Sequence, residues 1–101
     1  MNPNLQEKAT EAQIQKGIIN YLKDKGIFYW RNSVGQRGNI HYGEKGSPDI
    51  MALVDGELFG VEVKTYNGKQ QKEQKEYEVE FVRNGGFYIL ARSIDDVSKV
   101  I

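Results

Sequence analysis

Two apolar runs flanking an Asp-Gly pair constrain this chain more than any other feature. The segment reads Ser47-Pro48-Asp49-Ile50-Met51-Ala52-Leu53-Val54-Asp55-Gly56-Glu57-Leu58-Phe59-Gly60-Val61-Glu62-Val63-Lys64. Asp-Gly between alternating apolar residues is the strongest short-range signal for a two-residue hairpin turn. With Asp55 and Gly56 as the loop residues, Val54 faces Glu57, Leu53 faces Leu58, and Asp49 faces Glu62. Directly opposed residues hold their Cβ atoms roughly 4.5–5.5 Å apart on one face of the sheet. Side chains alternate along a strand, so Lys64 shares that face with Glu62. Register alone therefore gathers two carboxylates and an ammonium.

Like charges opposed on a sheet are destabilising. Two arrangements offset the repulsion. A hard divalent cation such as Mg²⁺ takes one or two protein carboxylates and keeps several waters. Alternatively, Asp49, Lys64 and Glu62 form a purely structural ion-pair cluster at a sheet end. A one-residue slip at the turn abolishes either arrangement, because it moves every side chain to the other face.

Composition excludes several classes of function. The 101 residues suffice for one domain with a modest core, and residues 1–101 are read as a single domain. No apolar run approaches about 18 residues, so no membrane span is expected. The start, Met1-Asn2-Pro3-Asn4-Leu5-Gln6-Glu7-Lys8, is polar and unlike a signal peptide. Absence of cysteine excludes disulfides, thiolate zinc sites and cysteine nucleophiles, and fits a reducing cytoplasm. A lone histidine, His41, disfavours histidine-rich metal sites and His-based triads and reads as a loop residue. Fourteen basic and fourteen acidic residues balance, which argues against a general nucleic-acid coat but permits a local basic strip.

Periodicity orders the elements. Thr10 to Lys25 reads as a helix, with Ile14, Ile18, Tyr21 and Leu22 at helical spacing and Gly26 as the stop. Ile27 to Arg31 is a short strand ending near Trp30, which reads as core. Asn32 to Ser47 carries Gly35, Gly38, Gly43 and Gly46 with no periodicity, and a loop of that length in a small domain is usually functional. The hairpin is apolar on both faces and so requires cover on both. Lys69 to Asn84 is a second helix stopped by Gly85-Gly86, and Phe87 to Ala91 a further strand. Ser93-Ile94-Asp95-Asp96 resembles a capping box opening a short terminal helix. An α/β domain is the expected class.

Two further polar residues lie on inward stripes. Gln70, Gln74, Tyr77 and Phe81 share one helical stripe, so Gln74 is expected to hang over the carboxylate pair. It reads alternatively as a surface amide. Glu11 shares a stripe with Ile14 and Ile18, either as a boundary residue or as a third acid reaching the site.

These residues carry a resemblance. Pro48-Asp49 followed by Glu62-Val63-Lys64 is similar to the PD-(D/E)xK nuclease signature, and the details resemble its VRR-NUC branch of virus-type replication and repair nucleases. Gly46-Ser47-Pro48-Asp49-Ile50 resembles that branch's G-x-P-D-hydrophobic element. Gln74-Lys75-Glu76-Tyr77 with the later Gly85-Gly86 resembles its Gln-containing helix and glycine pair. The likeness runs from about Glu11 to Val97, and no core position of the motif is missing. It implies a restriction-endonuclease-like αβββαβ core, a central mixed sheet flanked by helices, with a short C-terminal helix added. It further implies a stand-alone phage or bacterial enzyme hydrolysing phosphodiester bonds of branched DNA, such as four-way junctions or flaps, as a homodimer. Asp49, Glu62 and the Val63 carbonyl would hold Mg²⁺ or Mn²⁺, with Glu11 assisting. Asp49, Glu62, Lys64 and Gln74 would be catalytic, Lys64 by stabilising charge and positioning water, and Gln74 by orienting water or a phosphate oxygen.

The DNA surface is read from Arg31, Arg37 and Lys45 in or beside the long loop, with Ser47 either binding phosphate or only shaping the loop. Lys69 and Lys72 extend it at the second helix's start, where the macrodipole favours phosphate. Trp30 reads either as core, the commoner role of a lone Trp ending a strand, or as a ring that stacks on a base at a distortion. No separate recognition element is evident, so shape rather than base sequence is the expected basis of recognition. Two other functions compete: a sequence-specific restriction-type nuclease, and a non-catalytic nucleic-acid-binding module that keeps the fold.

Overall fold

The structure is a computed structural model describing residues 9–32, 35–37 and 40–101; the polar start Met1–Lys8 lies outside the described residues. Its elements are α1 (Glu11–Asp24), β1 (Phe28–Arg31), β2 (Gly35–Arg37), β3 (Ile40–Tyr42), β4 (Ile50–Val54), β5 (Glu57–Val63), α2 (Lys72–Arg83), β6 (Phe87–Ala91) and α3 (Ile94–Ser98). A four-stranded mixed sheet runs β1-β4-β5-β6, antiparallel except for the parallel β5–β6 pair. The expected αβββαβ order is present. The segment read as an unstructured loop contains a small antiparallel pair, β2–β3, with Gly35 opposite Tyr42. Three-residue strands are too short for period-two alternation to reveal them.

The turn fixes the register as anticipated. Asp55 (φ 51°) and Gly56 (φ 83°) both take positive φ, as a type I′ turn requires. The ladder runs from Val54 opposite Glu57 to Ile50 opposite Val61. Pro48 has no N–H to donate, so regular pairing stops there.

Each sheet face has its own cover. Ile50, Ala52, Phe59, Val61, Val63, Ile89 and Ala91 form the main core with Ile14, Ile18 and Leu22 of α1 and Val97 of α3. The α1 start is closed by a capping box: Thr10 Oγ1 accepts from Gln13 N (3.1 Å), and Gln13 Oε1 accepts from Thr10 N (2.9 Å). The box expected at Ser93 does not form. The Asp96 carboxylate instead accepts from Arg92 N at 2.8 Å, one residue earlier. On the opposite face α2 lies over β6, attached by Phe81 against Tyr88, with Tyr77 stacked on Phe81 within the helix. The helix begins at Lys72, three residues later than periodicity suggests, which leaves Lys69 and Gln70 ahead of it. Cover of this face is incomplete, since Phe28, Trp30 and Leu53 on the β1–β4 half are exposed. Trp30 is therefore not a core residue. Its place on an edge strand, beyond the reach of α2, is the reason.

Gly60 marks where Pro48 and Phe81 press onto the sheet. A Cβ there would lie 2.7 Å from Pro48 Cγ and 3.4 Å from Phe81 Cζ. Gly60→Ala is expected to lower stability by about 1–3 kcal/mol through overpacking. Urea denaturation of the two proteins checks it, and equal midpoints would contradict the packing.

Candidate metal and phosphate site

The β4–β5 register delivers Asp49 and Glu62 to neighbouring positions. Counting outward from the pair that closes the two-residue turn, Asp49 and Glu62 occupy a non-hydrogen-bonded position, where opposed side chains come closest. Asp49 stands one residue past the end of β4, and its main chain still follows the sheet, since Asn32 N donates to Asp49 O (2.8 Å). Its Oδ2 accepts from Val63 N at 2.7 Å, replacing the partner that Pro48's position would otherwise supply. In an extended chain the N–H and C=O of one residue face the same neighbour. The Val63 carbonyl is thus directed toward Asp49 as well.

Glu62 is 2% exposed, yet only one of its oxygens has a partner. Gln74 Nε2 donates to Glu62 Oε2 at 2.9 Å, while Oε1 has no partner among the described residues. Burial is the largest influence on this carboxyl and the Asp49 charge the next. Together they outweigh the opposing pull of Lys64 and push the pKa up to about 8. The charge of Glu11 acts in the same direction, more weakly. Lys64 is buried on the same face, but no ion pair among the described residues joins it to Asp49 or Glu62. The purely structural ion-pair cluster is therefore not what the structure contains.

Gln74 arrives where its helical stripe places it, and its amide is held at both ends. Gln71 N donates to Gln74 Oε1 at 2.8 Å at the start of α2, which turns the NH₂ group toward Glu62. Its direct partner among the described residues is thus the Glu62 carboxylate. Glu11 is exposed on the first turn of α1. Among the described residues no group of three acidic or histidine side chains assembles, so Glu11 does not complete a three-carboxylate cluster.

A polar cleft of about 460 Å³ opens beside Asp49, lined by Arg31, Asn32, Lys45, Gly46, Ser47, Gln71, Glu73, Gln74 and Gln15. Gly46 (φ 85°) lies so close to the Glu73 backbone that no side chain fits, which docks the Glu44–Ser47 turn on the first turn of α2. Lys45 pairs with Glu73 at 3.4 Å. A hydrogen bond from its own backbone, then Lys45, holds the Glu73 carboxyl below its ordinary value. Arg31, Lys45 and Ser47 line the cleft. Lys69 and Lys72 are exposed near the α2 start without lining it, and the Arg37 side chain lies outside the described residues. Gln15, Asn32 and Gln71 were not foreseen. Gln15 follows Glu11 by one helical turn, a signal present in the sequence; Asn32 is brought beside Asp49 only by the β1–β4 register. A larger groove of about 540 Å³ lies at the other end of α2, near Tyr77, Phe81 and Phe87. Its carboxylates, Glu57 and Glu80, are exposed, so it offers no comparable site.

No protein-family model matches the chain, and no curated protein does. Among solved structures, a VRR-NUC domain superposes with a TM-score of 0.68 at 22% identity, covering 91% of this chain and 95% of that one. The chain thus has the restriction-endonuclease-like fold of a VRR-NUC domain. No helix among the described residues is long and apolar enough to cross a membrane.

The buried carboxyl predicts a pH dependence. Its folded-state pKa of about 8 lies above its ordinary 4.5, so between these values the native chain holds a proton that the unfolded chain has released. In EDTA, stability should fall as pH rises through this range and level off above it. Glu62→Gln should flatten the profile and raise stability at pH 8. Urea unfolding from pH 5 to 9 checks both, and an unchanged slope in the variant would assign the effect to other groups.

Proposed function

We propose that the chain is a divalent-cation-dependent DNA endonuclease hydrolysing phosphodiester bonds in branched or otherwise structured DNA during replication and repair. One observation carries the reading: Glu62 Oε1, buried beside Asp49, has no hydrogen-bond partner among the described residues. An orphaned carboxylate oxygen next to a second carboxylate, with no ion pair to relieve it, suits a hard cation. Asp49, Glu62 and the Val63 carbonyl would hold Mg²⁺ or Mn²⁺, with Glu11 reaching it through water. When bound, such a cation polarises the phosphodiester and makes water a stronger nucleophile.

The chain's own residues supply the rest. Val63 N fixes the Asp49 carboxylate by its hydrogen bond, and Gln71 N fixes the Gln74 amide, which in turn fixes Glu62. Gln74 is then a positioning residue, acting through Glu62. Lys64, buried and without an ion pair to either carboxylate, is free to oppose the charge that builds on the phosphate during attack. Arg31, Lys45 and Ser47 hold phosphates along the cleft, with Arg37, Lys69 and Lys72 extending the strip. A homodimer would present two such sites to the symmetric strands of a four-way junction.

Incubation with labelled duplex, flap, splayed-arm and four-way-junction DNA, with Mg²⁺, Mn²⁺ or EDTA, tests the reading. Cleavage should require the cation and disappear in Asp49→Asn and Glu62→Gln while both variants stay folded. Full activity in either variant, or in EDTA, overturns it.

Lys64→Ala is expected to keep cation affinity and lose most turnover. Gln74→Ala should slow cleavage by about 10–100-fold, the scale of losing a residue that orients a metal ligand. It should also weaken cation binding, because Glu62 loses its orientation. Calorimetric titration with Mn²⁺ beside single-turnover rates separates the two roles.

A further inference from the structure

The sheet face that carries Asp49 and Glu62 continues onto an exposed aromatic surface. Phe28, Trp30 and Leu53 there are 68%, 40% and 43% exposed. The Phe28 and Trp30 rings meet edge to face, with centroids 6.1 Å apart and planes at 66°. Trp30 stands opposite the buried Met51, which gives the indole a fixed apolar support. Side chains two apart on a strand share a face, so Trp30 and Met51 lie one row from Asn32 and Asp49, roughly 7 Å along the strands. Arg31, next in sequence, lines the polar cleft beside Asp49. A cation of the kind that suits phosphate and an aromatic ring thus stand near the same carboxylate, on opposite faces of β1.

We propose that Trp30, braced by Phe28, is a stacking platform for an unpaired nucleobase of the DNA strand held at the carboxylates. The proposal rests on the nuclease reading and adds a basis for substrate choice. Phosphate contacts place a strand without distinguishing paired from unpaired DNA. An aromatic face does distinguish them, because a base inside a duplex is already stacked on its neighbours, whereas any unpaired base has a free π-face. Flaps, splayed arms and junction centres supply such bases, and a blunt duplex does not. A second copy of the chain is a poorer occupant. Three side chains make a small patch beside the roughly 800 Å² per partner that stable interfaces bury.

Trp30 is the only tryptophan, so emission excited beyond the tyrosine absorption band reports this position alone. In EDTA, titration with oligothymidylate should quench the emission, and a blunt duplex of equal length should quench it far less. Trp30→Ala should weaken oligothymidylate binding by about 5- to 100-fold, and Trp30→Phe should restore most of the affinity. In Mn²⁺, the ratio of flap to blunt-duplex cleavage should fall in Trp30→Ala. A wild-type protein that cleaves DNA while its emission ignores oligothymidylate overturns the platform and leaves the nuclease reading standing. Emission that shifts with protein concentration alone, unaffected by oligothymidylate, assigns the patch to a second copy and also overturns the platform. Quenching by oligothymidylate without cleavage in any cation supports the platform and removes the nuclease reading.

Discussion

Two carboxylates on neighbouring strands, one of them almost wholly removed from water, form the constraint around which this molecule is arranged. Burial and mutual repulsion both act against ionising Glu62, and its carboxyl is accordingly pushed up to about 8. The fold keeps the pair together through features that are individually modest. A two-residue turn sets the register, Pro48 ends the ladder, Val63 N anchors Asp49, and an amide clamped at the α2 start holds one oxygen of Glu62. The protein accepts an unfavourable electrostatic arrangement at one place, and the apolar packing on the far face of the same strands offsets it.

That division of labour runs through the whole sheet. The face toward α1 and α3 is closed, apolar and holds the main core. The other face is graded from β6 to β1. Under α2 it is packed by Tyr77 and Phe81, at its middle it carries the polar carboxylate site, and toward β1 it is open and aromatic. Arg92 ties the two ends of the site together, its Nη1 donating to the carbonyls of Thr65, Tyr66 and Gly68 (2.6, 3.2 and 2.6 Å). That turn connects Lys64 to the approach of α2, so one guanidinium fixes the path between the lysine and the clamped glutamine.

The likeness to a VRR-NUC domain is one of fold, at 22% identity, and the residues explain why so little sequence suffices for it. The turn, the proline that ends the ladder, the buried glutamate and the amide above it are short-range or periodic features. The remaining positions need only be apolar and of fitting size to fill the sheet faces.

What the sequence determined by itself was everything that depends on local period and turn chemistry. Asp55-Gly56 set the register that opposes Asp49 and Glu62, and the stripe through Tyr77 and Phe81 placed Gln74 over them, because a strand repeats every two residues and a helix every 3.6. Boundaries at α1 and β6 were legible for the same reason, whereas β2 and β3 are too short to show a period. Only the tertiary structure decided what depends on which strand lies beside which. It set Asn32 against Asp49, left Trp30 on an uncovered edge, and kept Glu11 out of a three-carboxylate cluster among the described residues. Strand order and the reach of a helix across a sheet are sums of many weak contacts between residues distant in sequence. No local pattern carries that information, and so the carboxylate pair could be read from the chain while the surface around it could not.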